Sequence, residues 1–315
     1  MEFAGFLGNS DLKRRLSASF QTGRTSHCYL LCGPEGSGKR TLAKILSAAL
    51  QCAAPSVPCG RCLPCRKAFS GSHPDIIAID DPEKKTVSVE LIRQLQADAY
   101  IRPNEGIHKV YLIPRAQDMT ENAQNALLKI IEEPPSYAVF LLLADHAEKL
   151  LPTVRSRCTE LRLEPVPRQE AIPWLAAQFP DQSQDALQAA CLRSGGYLGQ
   201  AAELLRGAFY LPQTLEFAGA FAKNDTLALT QTLCGLEKQP RNKLQEVLAQ
   251  WRQLVADAML VRAGLPGSPE AAAIGRSRTG ADLAHAARVL QEAQDACAAN
   301  IGTGHICGWL VTALS

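Results

Sequence analysis

Over its first 163 residues the chain alternates short apolar runs with longer stretches of helical spacing. The runs are Cys28-Tyr29-Leu30-Leu31-Cys32, Ile76-Ile77-Ala78-Ile79, Val110-Tyr111-Leu112-Ile113, Val139-Phe140-Leu141-Leu142-Leu143 and Leu161-Arg162-Leu163. Apolar runs of this length, separated by helices, predict a parallel α/β sheet. Helices are predicted over 40–51, over 89–99 behind Ser88 as N-cap, and over 121–131 behind Thr120, the last closed by Glu132-Glu133-Pro134-Pro135. After Pro165 the strand signal ends. Helices are expected over 169–178, 185–192 and 199–205, and from about Phe209 to Ser315 the chain is Ala/Leu/Gln-rich with helical spacing, punctuated at Pro212, Pro240 and Gly264 to Pro269. The expected organisation is an α/β domain over 1–165, a small helical domain over 166–207 and a larger all-helical domain over 208–315.

A length of 315 residues agrees with such a multidomain plan, at roughly 150 residues per domain. With 46% hydrophobic and 20% charged residues the composition is globular, which excludes collagen, coiled coil and long disordered chains. Lys and Arg number 33 against 31 Asp and Glu, a net charge of +2, so the chain is no polycation and any nucleic-acid contact needs a local patch or an assembly. The longest apolar run, Ala138 to Ala144, falls far short of the roughly 20 residues of a membrane span. The first residues lack the basic and long apolar regions of a secretory signal. The expectation is a cytoplasmic protein with no membrane partner.

The first candidate chemistry follows the first strand. Gly33-Pro34-Glu35-Gly36-Ser37-Gly38-Lys39 satisfies the phosphate-loop pattern G-x-x-x-x-G-K between a strand and a helix. Its glycines let backbone N–H groups turn around phosphate oxygens, the helix N-terminus adds its dipole, and Lys39 reaches the outer phosphates. The hydroxyl that should follow the lysine to hold Mg²⁺ is replaced by Arg40, with Thr41 one residue late; roughly 100° of helix rotation separates the two positions. Nucleotide binding over 33–41 is therefore possible, and magnesium handling is compromised. Hydrolysis also needs an acid at the end of the next strand to hold the metal and another to orient water. The strand ending at Ile113 runs instead into Pro114-Arg115, and Asp118 comes four residues too late, as a turn residue. The domain is expected to keep the fold and to have lost hydrolysis.

The second is a cluster. Cys52, Cys59, Cys62 and Cys65 lie within fourteen residues, while the other seven of the eleven cysteines are scattered singly. Two C-x-x-C steps allow four thiolates to surround one zinc ion with no open position, which makes a structural site. The segment carries Pro55, Pro58, Gly60 and Pro64 and little core of its own, so a metal would supply its folding energy. Free cysteines and an all-cysteine iron–sulfur cluster are the other readings.

Three features together resemble one family: the phosphate loop with its four-cysteine insert, Asn125-Ala126-Leu127-Leu128-Lys129 running into Glu132-Glu133-Pro134-Pro135, and Leu151 to Cys158 with its Ser156-Arg157-Cys158. They are similar to the AAA+ subunits of the bacterial DNA polymerase III clamp loader, strongly over the first 165 residues and loosely beyond. The resemblance implies a RecA-like AAA+ domain with a zinc module, a helical lid and an all-α collar that joins a hetero-oligomeric ring. It implies gamma/tau and delta subunits as partners, with the sliding clamp and primer–template DNA reached through the assembly. In gamma/tau members the strand matching 109–113 ends in acids, where this chain has Pro114-Arg115. The sensor 1 position falls at Ala144-Asp145, and the sensor 2 arginine is matched by Gly199. The pattern thus resembles the delta-prime members, which do not hydrolyse ATP. Arg157, by the same resemblance, is expected to act as an arginine finger in a neighbour's ATP site, where a guanidinium forms charge-assisted bonds to phosphate.

A gamma/tau-type ATPase with displaced acids is the first alternative. A stand-alone zinc and P-loop nucleic-acid binder is the second, and a nucleotide kinase, for which no acceptor site or basic lid is visible, the third. The six histidines show no metal or catalytic pairing, and Arg155, Arg241, Lys243, Arg276 and Arg278 are expected as solvated cations. Trp174, Trp251 and Trp309 are expected in helical cores.

Overall fold

The computed structural model describes residues 1–81, 84, 86–206, 210–265, 267–299 and 301–314. Among these, the chain divides into two compact units: Met1–Ala171 with Gly195–Gln200, and Ile172–Ser194 with Ala201–Ser315. The sequence-based boundary at 207/208 lies outside the described residues.

The first unit runs α1 (Ser10–Gln21), β1 (Cys28–Cys32), α2 (Lys39–Leu50), α3 (Leu63–Ser70), β2 (Ile76–Ala78), α4 (Val89–Ala99), β3 (Lys109–Ile113), α5 (Glu121–Glu132), β4 (Ala138–Ala144), α6 (Pro152–Arg155) and β5 (Thr159–Arg162). The five strands are parallel in the order β2-β3-β4-β1-β5. Each apolar run of the sequence has become a strand, displaced by two residues at most. Side chains alternate between the faces of a sheet, and the central strands bury both sets. Cys28, Leu30 and Cys32 of β1 join Phe140 and Leu142 of β4 in one core with Ile92, Leu95, Leu127 and Ile130. Tyr29 and Leu31 join Val139, Leu141 and Leu143 in another with Leu12, Leu16, Leu42 and Leu46. The result is a three-layer α/β/α P-loop fold. Thr120 caps α5 by accepting from the Ala123 N–H, whereas Ser88 stands at the N-cap of α4 without a side-chain cap bond.

The remaining helices are α7 (Arg168–Gln178), α8 (Gln184–Arg193), α9 (Leu198–Leu205), α10 (Pro212–Lys223), α11 (Thr226–Glu237), α12 (Arg241–Arg262), α13 (Pro269–Ser277), α14 (Gly280–Ala298) and α15 (Thr303–Ala313). The C-terminal part is all-α. Pro212 and Pro269 occupy first helical turns and Pro240 an N-cap, positions at which the missing N–H is harmless. The core of this part is built around Trp251, fully buried and stacked on Phe217 at 4.2 Å between ring centroids. Trp309 departs from expectation: it is 39% exposed, because α15 buries only one face, through Ile306, Cys307 and Leu310. Arg278 is no solvated cation either; it stacks on Phe221 and donates to that residue's carbonyl at 2.8 Å.

Two buried carboxylates hold these units internally. Asp75, only 1% exposed, accepts from the backbone N–H groups of Asn104, Glu105 and Gly106 at 2.6, 2.9 and 2.7 Å, and so ties down the approach to β3. Burial pushes this carboxyl up, but the three N–H bonds and nearby His73 outweigh it and leave it below its ordinary value. A lowered folded-state pKa means stability that is present above the unfolded value and lost as the pH falls through the folded one. In the second unit, Asp257 of α12 is 2% exposed and meets the Arg193 guanidinium of α8 at 2.6 Å.

Asp75→Asn is expected to lower stability by about 1–3 kcal/mol at neutral pH. The gap to wild type should narrow as the pH falls from about 5 towards 2 in urea melts; a gap independent of pH would show that the carboxylate charge is irrelevant. Asp257→Ala should destabilise by about 3–5 kcal/mol because it removes the carboxylate that balances a buried guanidinium. Arg193→Met with Asp257→Leu should recover most of that loss in the same thermal melts.

Candidate functional site

In a parallel α/β sheet the loops beyond the carboxyl ends of the strands form the binding edge. The phosphate loop lies there, between β1 and α2. Gly36 and Gly38 have φ of 75° and 97°, in the left-handed region that side chains disfavour, so the loop's conformation requires them. Ser37 is 8% exposed and its buried hydroxyl makes no hydrogen bond. Pro34 and Glu35 form the outer arm of the loop. Arg40 and Thr41 are exposed on α2, away from the loop interior, as the one-residue shift of the hydroxyl predicts. Backbone groups and a buried lysine suited to phosphate are thus present, without a hydroxyl placed for magnesium.

Lys39 is turned inwards. Its ammonium donates to the carbonyls of Gly33 and Pro34 at 2.6 and 2.9 Å and pairs with the Asp145 carboxylate at 2.6 Å. Asp145 is brought there by strand order: β4 neighbours β1, Cys32 lies opposite Ala144, and the Gly33 N–H donates to the Ala144 carbonyl at 3.2 Å. The residue at the end of β3 shows the reverse charge. Arg115 donates to Asp80 through Nε at 2.9 Å and Nη2 at 2.6 Å, while Nη2 also reaches the carbonyl of Asp81 and Nη1 that of Lys84. An acid just past β2 is therefore paired with the cation that follows β3. Asp118 lies in a 3-10 turn over Ala116–Asp118, where its carbonyl accepts from Val87, consistent with a turn residue.

The start of α9 lies against the apex of the loop. The Gly199 N–H donates to the Gly36 carbonyl at 2.9 Å, and the Gln200 side-chain amide donates to the Glu35 carbonyl at 2.7 Å. A Cβ built on Gly199 would stand 2.6 Å from the Gly36 Cα, so no side chain, arginine included, fits at that position without moving the backbone.

Arg157 lies between α6 and β5, 39% exposed along its side chain, with Nη2 2.7 Å from Glu132 and Nη1 donating to the Thr153 carbonyl at 3.0 Å. The partner Glu132 closes α5, and sequence reasoning missed it; the adjacent acids before Pro134 were the available signal. Cys158 is half-buried, with its sulfur 3.2 Å from that of Cys28. Arg155 sits 3.7 Å from Glu160, a weak surface pair.

The sulfurs of Cys52, Cys59, Cys62 and Cys65 all lie within 4.8 Å of one another. Tetrahedral metal–sulfur bonds of about 2.3 Å imply sulfur separations of about 3.8 Å, and Cys52 and Cys62 are 3.9 Å apart. The donor set fits a metal ion that takes four thiolates. Backbone N–H groups of Cys62 and Arg61 stabilise the Cys59 thiolate and lower its pKa to about 6, whereas burial pushes Cys65 up. Cys52 and Cys65 are buried against Ala48 and Ala68, which fastens the module to α2 and α3.

Residues 8–167 match the family model described as DNA polymerase III, delta subunit. DNA polymerase III subunit delta' of Pseudomonas aeruginosa is 39% identical over 175 residues, covering 54% of this chain and 53% of that protein. Subunit delta' of Escherichia coli is 37% identical over 196 residues, covering 61% and 58%. Subunit gamma of Buchnera aphidicola is 28% identical over 274 residues, covering 82% and 75%. The alignments thus span little more than half the length of the delta' relatives. With a family match over half the chain and the phosphate loop, cysteine cluster and Ser-Arg-Cys segment all inside it, the chain belongs to the DNA polymerase III delta-subunit family of the bacterial clamp loader.

Proposed function

We propose that the chain is the delta-prime-type subunit of a DNA polymerase III clamp loader: a subunit that does not hydrolyse ATP, lends Arg157 to the ATP site of a neighbouring gamma/tau subunit, and supports ATP-dependent loading of the sliding clamp on primed DNA. One observation carries the reading. Beyond β3, at the carboxyl edge of the sheet, the chain has Pro114-Arg115 in place of a pair of acids, with Arg115 paired to Asp80, while Arg157 stands half-exposed on the same unit. The magnesium hydroxyl and the sensor 2 arginine are missing as well, at Arg40 and Gly199.

On this reading the residues of the phosphate loop, Gly33 to Thr41, preserve a fold and need hold no nucleotide. Arg157 acts through its guanidinium, which offsets charge developing on a transferred phosphoryl group. Segment 166–207 serves as a lid and 208–315 as the collar that joins gamma/tau and delta, with clamp and primer–template DNA met by the whole assembly. Cys52, Cys59, Cys62 and Cys65 hold a structural zinc ion, which supplies cross-linking of a proline-rich segment and no chemistry.

A gamma-type ATPase is the second reading, favoured by the gamma relative whose alignment spans most of the chain. The isolated chain separates the two: magnesium–ATP turnover abolished by Lys39→Ala would establish the second.

In rings reconstituted with gamma/tau and delta, with the other ATP sites inactivated, Arg157→Ala should slow turnover on the order of 10³-fold. The ring should still elute intact from a sizing column; unchanged turnover removes the proposed role. Elemental analysis of the purified chain should find about one zinc per chain. Stripping it, or Cys65→Ser, should lower the melting temperature; iron with visible absorbance would refute zinc.

A further inference from the structure

A phosphate loop offers a bound polyphosphate two things: a free lysine ammonium, and an open concavity of backbone N–H groups at a helix N-terminus. Within this chain the ammonium is already engaged, and the apex of the loop is bonded from outside through its carbonyls. The three donors of Lys39 match three acceptors, the carbonyls of Gly33 and Pro34 and the carboxylate of Asp145, all within 2.9 Å. Its side chain is only 10% exposed and that of Asp145 36%, so the lysine end of the pair is shielded and the carboxylate end is open to the solvent that weakens surface ion pairs. At the apex, Gly199 and Gln200 bond the carbonyls of Gly36 and Glu35. A Cβ on Gly36 would come within 2.5 Å of the Gln200 nitrogen, a measure of how closely α9 lies on the loop.

We propose that the phosphate loop is latched by the chain itself, with the Asp145 carboxylate as an internal anion on Lys39 and with the Gly199 N–H and the Gln200 side-chain amide bonded to the apex, so that a nucleoside triphosphate or pyrophosphate must displace both. The latch is built by the fold. Asp145 is the first residue past β4, its backbone N–H donates to the Gln117 side chain at 3.3 Å, and the preceding residue is bonded to Gly33. The carboxylate is therefore delivered beside the loop by the β1–β4 register. Arg115, the other cation of this edge, is engaged by Asp80 and does not compensate. A phosphate that reaches Lys39 also meets the negative charge of Asp145. Repulsion between unit charges about 4 Å apart weakens binding from roughly fivefold in a water-like dielectric to almost a thousandfold in that of a protein surface. Removing the carboxylate is thus expected to strengthen binding at least about fivefold.

This deepens the reading of the chain as a subunit without hydrolysis of its own, and rests on it only for why such a latch is tolerated. The test is equilibrium binding of ATP and of inorganic pyrophosphate to the isolated full chain by calorimetry, with melting curves to verify folding. Asp145→Asn should bind both probes at least about fivefold more tightly than wild type, Asp145→Ser should do the same, and Lys39→Ala added to either should abolish the gain. Gln200→Ala, which removes the amide bond to Glu35, should increase affinity further when added to Asp145→Asn, and no further gain would overturn the part of the latch assigned to Gln200. Equal affinity of wild type and both Asp145 variants, or a gain that survives Lys39→Ala, overturns the latch. Because Arg157 is tested by turnover of assembled rings, failure here leaves that role standing, and failure there leaves the latch standing.

Discussion

The pairing of β1 with β4 is the constraint on which the candidate site depends. Five residues of β1 lie opposite five of β4, from Cys28 with Phe140 to Cys32 with Ala144, and the bond from Gly33 to Ala144 carries the register one step into the loop. Register in a doubly covered sheet is rigidly specified, since a slip of one residue would exchange the two buried faces. Here it would exchange Leu30 and Phe140 with Leu31 and Leu141. The same register delivers Asp145 to Lys39. A packing requirement in the sheet therefore decides an electrostatic arrangement at its edge.

That edge carries an ordered set of charges. Acids stand just beyond β2 and β4, at Asp80 and Asp145, and cations beyond β3 and β1, at Arg115 and Lys39; each cation pairs with an acid from a neighbouring strand. An edge that concentrates negative charge for a metal and positive charge for phosphate has been converted into two internal ion pairs. On the proposed reading the functional charge has moved to Arg157, outside this edge and poised against Glu132. On the same reading a metal ion held by the four-cysteine module, which packs on α2 through Cys52 and Cys65, adds cross-links to a proline-rich segment with only a small apolar core.

Much of the first unit was legible in the chain alone, for identifiable reasons. Its three central strands, β1, β3 and β4, are apolar on both faces, so burial made them stand out as runs, and the Thr120 cap announced α5 by its hydroxyl. The helical part was readable as helices, because proline at 212, 240 and 269 punctuates it. Its packing was not. Trp309 carries the same helical spacing as Trp251, yet one lies on the outer face of the last helix and the other at the centre of the core. Periodicity gives a helix an apolar face without saying what covers it.

The amino-acid order by itself determined the glycine loop, the cysteine spacing, the loss of an acid after β3 and the presence of a Ser-Arg-Cys segment, since each is a matter of residue type at a local spacing. Only the tertiary structure decided which charges meet. Lys39 and Asp145 are separated by more than a hundred residues, Arg115 and Asp80 by 35, and Gln200 and Glu35 by 165. Those contacts follow from strand order and helix packing. Both are set by burial of apolar surface that favours one arrangement of the whole chain and leaves no trace in any local window of it.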